Sequence, residues 1–275
     1  MKVALSRLPV PYAWWAKLSL FRHGAMDQHS YALRVYREHL GRAGAGRKVR
    51  SVLELGPGDT AFSAVIGRAL GVERSVLVDA GAFASRDVEL YRELARHLEE
   101  QGSGRVDLLD ARTLEDVLAA CGATYLVSGL ESLRQVESGS VDLVFSQAVL
   151  EHVPRAEFDA MMGELRRVLR PDGVASHRVD LQDHLGGGLA NLRFSSALWE
   201  ADGFARRSGF YTNRLRFSEH LRAYDRAGFE ATLLRVDRFE RPALAPGAVH
   251  ADLGDFTAEE LSVSGFDVLL RPRAA

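Results

Sequence analysis

The chain has 275 residues, 47% of them apolar, and its 35 basic and 37 acidic side chains leave a formal charge of −2. That length suits one large α/β domain with an extension, and that apolar share can build a sizeable core. The even charge balance argues against a nucleic-acid partner, which needs a basic stripe, and no run reaches the roughly 20 apolar residues that span a membrane.

Residues 1–48 read as a helical N-terminal extension, a cover for a substrate. Its start, Met1-Lys2-Val3-Ala4-Leu5, is broken by Arg7, Pro9, Pro11 and Lys17, so no signal peptide is expected. Tyr12 to Phe21 is aromatic, with Trp14 and Trp15. Ser30 to Leu40 has Leu33, Tyr36 and Leu40 on one helical face. Gly41 to Lys48 reads as a linker. Cys121 is the sole cysteine, which excludes an internal disulfide and suits a reducing cytoplasm.

Residues 49–275 then alternate strand and helix. Strands are expected at Arg50–Leu55, Ser75–Val78, Tyr125–Val127, Val141–Ser146 and Val174–Leu181. Helices are expected at Ala61–Leu70, Asp87–Gln101, Leu114–Ala120 and Phe158–Leu169. Short apolar strands without alternation are buried on both faces, which points to a parallel sheet wrapped by helices. Beyond residue 185 the pattern loosens. Gly186-Gly187-Gly188 reads as a flexible joint, and residues 185–217 as an acceptor-side insertion. A helix at Ser218–Ala227 and strands at Ala231–Val236 and Phe266–Leu270 close the chain. The expected fold is a Rossmann-like, doubly wound α/β sheet, mostly parallel with a final antiparallel strand.

Glu54-Leu55-Gly56-Pro57-Gly58 joins the first strand to the next helix. Glycines let the turn be tight and the backbone approach a ligand, and the helix start offers unpaired N–H groups. Asp79 ends the second strand, where a carboxylate can take both ribose hydroxyls of a nucleotide. The same spacing serves NAD. Glu54 discriminates: an acid there would repel a pyrophosphate and attract an ammonium.

Ser138 to Val153 resembles the fourth strand and following turn of class I S-adenosylmethionine-dependent methyltransferases. Glu164-Leu165-Arg166-Arg167-Val168-Leu169-Arg170-Pro171-Asp172-Gly173 is similar to the helix and turn before their fifth strand. With the glycine loop and Asp79, the resemblance covers roughly residues 50–182 in the family's order. It implies S-adenosyl-L-methionine as cofactor. Glu54, Gly56, Pro57 and Gly58 would hold the methionine part and Asp79 the ribose. Leu130 and Glu131 would cover the adenine, and Ser146 and Gln147 would lie beside the sulfonium. A looser resemblance, from Ser176 to Asp183 and from Phe210 to Arg214, is to methyltransferases of glycan and natural-product pathways.

The acceptor is expected to be a small molecule methylated on oxygen or nitrogen, with a histidine and an aspartate as general base. The candidates are His184 with Asp180 or Asp183, and His152. Two plainer roles compete: His177 packs inside its strand, and Asp183 caps a turn. The same cluster could hold a divalent metal, but its spacing fits no standard motif. Phe210, Tyr211, Asn213 and Arg214 could line the acceptor pocket with the N-terminal aromatics. The alternatives are an NAD-dependent oxidoreductase, which lacks a Tyr-x-x-x-Lys pattern, and a non-catalytic partner protein. A second copy of the chain is the only macromolecular partner expected.

Overall fold

The computed structural model describes residues 26–44, 47–201, 204 and 210–274. Tyr12 to Phe21, with Trp14 and Trp15, lies outside them.

Helix α1 (His29–Arg42) comes first. Then follow β1 (Ser51–Leu55), α2 (Phe62–Ala69), β2 (Arg74–Val78), α3 (Val88–Glu100), α4 (Leu114–Ala120) and β3 (Ala123–Leu126). The second half runs α5 (Leu130–Arg134), β4 (Val141–Gln147), α6 (Phe158–Val168), β5 (Leu169–Asp180), α7 (Phe217–Arg226), β6 (Phe229–Arg238) and β7 (Val263–Pro272). Among the described residues seven strands form one sheet in the order β3-β2-β1-β4-β5-β7-β6. All neighbours are parallel except the two pairs made by β7. The mostly parallel, doubly wound sheet with a last antiparallel strand is therefore as expected.

The sheet buries both faces. One core joins Tyr36 of α1 and Phe62, Val65 and Ile66 of α2 to Tyr91, Leu94 and Leu98 of α3. The other packs Met162, Leu165 and Val168 of α6 and Tyr224 of α7 against Leu53, Val144 and Val179. Strand pleating sends alternate residues to opposite faces, which is why continuous apolar runs were needed. β5 begins at Leu169, five residues before the expected Val174. Leu169 pairs with Val141, and the register then shifts before Leu143 meets Val174, so Arg170 to Gly173 bulge within the strand.

Chain order reverses between β1 and β4, which lie side by side with Leu55 opposite Ser146. Ligands of such sheets sit at the carboxyl edge over this switch point. The opposite edge is tied by Asp142, whose Oδ2 accepts the backbone N–H groups of Arg50 and Ser51, both at 2.9 Å. Burial pushes the Asp142 pKa up, but these bonds, the Ser51 hydroxyl and Arg170 outweigh it and leave the group below its ordinary value. We predict that Asp142→Ala loses about 2 kcal/mol in urea unfolding at neutral pH. A depressed carboxyl stabilises above its unfolded pKa and stops doing so as pH falls through its folded one. The gap between wild type and variant therefore closes in acid.

Candidate active site

Gly56 and Gly58 both adopt left-handed backbone, with φ of +67° and +72°. The Gly56 N–H donates to the Val78 carbonyl at 2.8 Å, tying the loop to the end of β2. A Cβ on Gly56 would lie 2.6 Å from Val149 Cγ2. Val149 belongs to the turn after β4, so the two turns that wall the cleft touch at Gly56. Pro57 sits between the glycines.

Glu54 is 2% exposed, and its Oε2 has no hydrogen-bond partner among the described residues. Burial pushes its pKa up to about 8; the Ser63 hydroxyl draws it down and the charge of Asp79 adds to the rise. A protonated acid under a glycine loop suits an incoming cation, which would let it ionise. Asp79 follows β2. Its Oδ2 accepts the Gly58 N–H at 3.0 Å and its Oδ1 the Ala80 N–H at 2.7 Å. The proposed ribose acid thus lies against the glycine loop.

The third wall starts at Gly129, whose N–H donates to the Asp79 carbonyl at 2.8 Å. Its φ of 53° and ψ of −126° suit glycine alone, a requirement visible in sequence only as a glycine before a short helix. Leu130 is buried behind it, while Glu131 faces solvent and pairs with Arg134. Two tyrosines hold the loop after Asp79. Tyr125 donates to the Gly81 carbonyl at 3.0 Å and Tyr91 to the Ser85 carbonyl at 2.6 Å.

At the end of β4, Ser146 and Gln147 part to opposite faces. Ser146 is fully buried with its hydroxyl 2.8 Å from His177 Nδ1. Its side chain therefore ties β4 to β5. Burial and the neighbouring His39 and His220 push the His177 pKa down to about 3, so this histidine stays neutral inside its strand. Gln147 is half-buried at the cleft. Ala148 follows with a strained φ of 54°, where the chain bends sharply into the turn.

The structure brings His152 and His184 together, with ring centroids 4.8 Å apart. His152 Nδ1 lies 2.8 Å from the Tyr211 carbonyl. A carbonyl only accepts, so Nδ1 carries a proton, and in the neutral ring the lone pair is on Nε2. Asp180, at the end of β5, takes the Gln182 N–H at 3.0 Å. Asp183 caps the turn that follows, the plainer of the two roles expected of it. It is 3% exposed, its Oδ1 accepts the N–H groups of Leu185 and Gly186, and its Oδ2 that of Ala190. Gly186-Gly187-Gly188 is correspondingly a bonded turn, closed by Asp183 N–H to Gly188 O at 2.8 Å, where a flexible joint was expected.

Asn213 is a buried strut. It is 1% exposed, and its Nδ2 donates to the carbonyls of Leu150 and Val153 at 2.8 and 3.0 Å. It thereby hangs the His152 turn from the segment before α7. Trp199, fully buried, donates Nε1–H to the Thr212 carbonyl at 2.7 Å and braces the same segment. Arg214 pairs with Glu200 at 2.9 Å. No local signal marks Asn213, because its partners lie 60 and 63 residues away. Among the described residues no three His, Cys, Asp or Glu side chains gather as a metal-binding group.

Residues 93–176, from α3 to the middle of β5, match the family model described as a methyltransferase domain. The fold agrees with the solved structure of an S-adenosylmethionine-dependent methyltransferase from Methanosarcina mazei, at 18% identity and a TM-score of 0.50, over 88% of this chain and 98% of that one. Two others are similar: a DhpI–SAH complex, at 16% identity, TM-score 0.47, over 100% and 96%, and a Haloferax volcanii methyltransferase in complex with the Trm112 activator, at 15%, 0.46, over 91% and 96%. No curated protein sequence matches the chain.

Gly56→Ala would add both a strained φ and a clash with Val149. We predict a loss of about 2–4 kcal/mol in thermal unfolding. The loss should shrink in a Val149→Ala background, where only the backbone strain remains.

Proposed function

We propose that this protein is a methyltransferase that moves a methyl group from S-adenosylmethionine to an oxygen or nitrogen of a small molecule, such as a sugar, a glycan precursor or a natural product. The cofactor part of this proposal is supported by Glu54. A buried acid with an unpartnered oxygen beneath a left-handed glycine loop fits an ammonium and opposes a pyrophosphate. Gly56, Pro57 and Gly58 would cradle the amino-acid end, Asp79 the ribose, and Leu130 the adenine. When bound, this group supplies an electrophilic methyl on a sulfonium, with a neutral thioether as leaving group.

The reaction type is carried by one observation, the meeting of His152 and His184 at the carboxyl ends of β4 and β5. An alcohol or ammonium acceptor must lose a proton, and a base of this type contributes roughly 10²–10⁴-fold. The Tyr211 carbonyl holds His152 in the tautomer whose Nε2 accepts that proton. His184 packs against the ring and restricts its orientation, and Asp180 supplies negative charge at the end of β5. The remaining contribution is positional: the Asn213 strut fixes the turn that carries the base, so that an acceptor is held in line. The extension before residue 48 and the segment 185–217 would cover that acceptor.

Two outcomes are expected. Titration with S-adenosylmethionine at pH 7, in buffers of different ionisation enthalpy, should release close to one proton as Glu54 ionises beside the ammonium. Glu54→Gln should abolish the release, and uptake of NAD in place of S-adenosylmethionine would overturn the proposal. Once an acceptor is found by screening, His152→Ala and His184→Ala should each lower turnover by about 10²-fold or more. Affinity for S-adenosylhomocysteine should stay within about twofold of wild type, because neither ring belongs to the cofactor cradle. Full turnover in both variants would move the base elsewhere.

A further inference from the structure

Helix α1 precedes the segment that matches the family model, yet it reaches the reacting end of the cleft. Thr60, at the end of the glycine loop, donates to the Met26 carbonyl at 3.3 Å, and the His29 ring packs on Phe62 with centroids 5.3 Å apart. α1 therefore starts beside the glycine loop. Within its first turn, Tyr31 reaches Gln147 of β4. Two turns further, His39 does the same from the other side.

Gln147 lies one residue past the Leu55–Ser146 pair, and so alongside Gly56. Its carboxamide is held at both ends. Oε1 lies 3.1 Å from His39 Nε2, and Nε2 lies 3.4 Å from the Tyr31 hydroxyl. An amide oxygen only accepts, so His39 Nε2 carries the imidazole proton. His39 Nδ1 is then bare and accepts the Ser176 hydroxyl at 2.8 Å, and Ser176 in turn accepts from Arg42 at 3.3 Å. Donation has one consistent direction, Arg42 to Ser176 to His39 to Gln147 to Tyr31. The Tyr31 oxygen accepts from Gln147, which leaves its own proton to point onward.

The imidazole is fixed by packing as well. His39 is 1% exposed and stacks on Phe145 at 4.9 Å between centroids and 25° between planes. Burial, with Arg42 beside it, pushes its pKa down to about 4, so the ring remains neutral and keeps this tautomer near neutral pH. A buried polar chain of this kind is costly unless every member is satisfied, and each link here is. Nothing in the packing of α1 alone calls for a histidine; an aromatic ring would fill the same space against Phe145.

We infer that His39 is a positioning residue of the methyl-donor site, acting through Gln147, whose carboxamide it holds in one orientation at the mouth of the cleft. This rests on the proposal that the cleft takes S-adenosylmethionine. The two nitrogens of His39 can be tested separately. His39→Gln can restore the donor to Gln147, His39→Asn only the contact to Ser176, and His39→Phe neither, while keeping the stack.

The test is calorimetric binding of S-adenosylmethionine and S-adenosylhomocysteine to the full chain, alongside thermal unfolding of each variant. His39→Phe and His39→Asn should weaken S-adenosylmethionine binding by about tenfold, the worth of one hydrogen bond in a buried site, with His39→Gln near wild type. In a Gln147→Ala background His39→Phe should add nothing. Wild-type affinity in His39→Phe, equal damage in His39→Gln, or additive losses with Gln147→Ala would each overturn the inference. If wild type binds neither nucleoside, the cofactor proposal fails separately. The relay is then decided by the Gln147 side-chain amide signals in ¹⁵N-labelled protein. They should move in His39→Phe and hold in His39→Gln; the reverse overturns it.

Discussion

A carboxyl group buried beneath the glycine loop is the constraint around which this site is arranged. Glu54 sits in β1 with one oxygen unpartnered, in a place where ionisation is opposed by burial and by Asp79. Such a group costs stability unless something compensates it, and apolar residues would fill the same space more cheaply. A cationic ligand end resolves the conflict, because it converts the strained acid into half of a charge-assisted pair. Nucleotides that present phosphate to the loop would make the conflict worse.

The neighbouring contacts follow from bringing backbone close to that ligand. Gly56 must be bare because Val149 occupies the space where its Cβ would stand, and Gly129 must be glycine to turn the chain over Asp79. The turn after β4 then has to be held from outside, since its own strained Ala148 does not stabilise it. Asn213 and the Tyr211 carbonyl, both from the segment before α7, supply that support and tie the His152 ring to it.

What could be read from sequence was local. Strand, glycine turn and helix lie within a score of residues, and the step from Gly58 to Asp79 is set by one βαβ repeat. The alternation that separates Ser146 from Gln147 follows from strand geometry, but which of them meets the cleft depends on the register with β1 and β5. Asp183 looked like a base because acids and histidines cluster there, whereas three nearby N–H groups claim its carboxylate. The strut made by Asn213 and the relay through His39 escaped notice because their partners lie 60 to 137 residues away, where no spacing rule applies.

The most direct test is a crystal structure with S-adenosylhomocysteine, whose amino-acid end is the same as that of the methyl donor. The account predicts its ammonium within about 3 Å of the Glu54 carboxylate, with the ribose hydroxyls on Asp79. An amino-acid end turned away from Glu54, or electron density for a dinucleotide pyrophosphate on the Gly56–Gly58 loop, would contradict it.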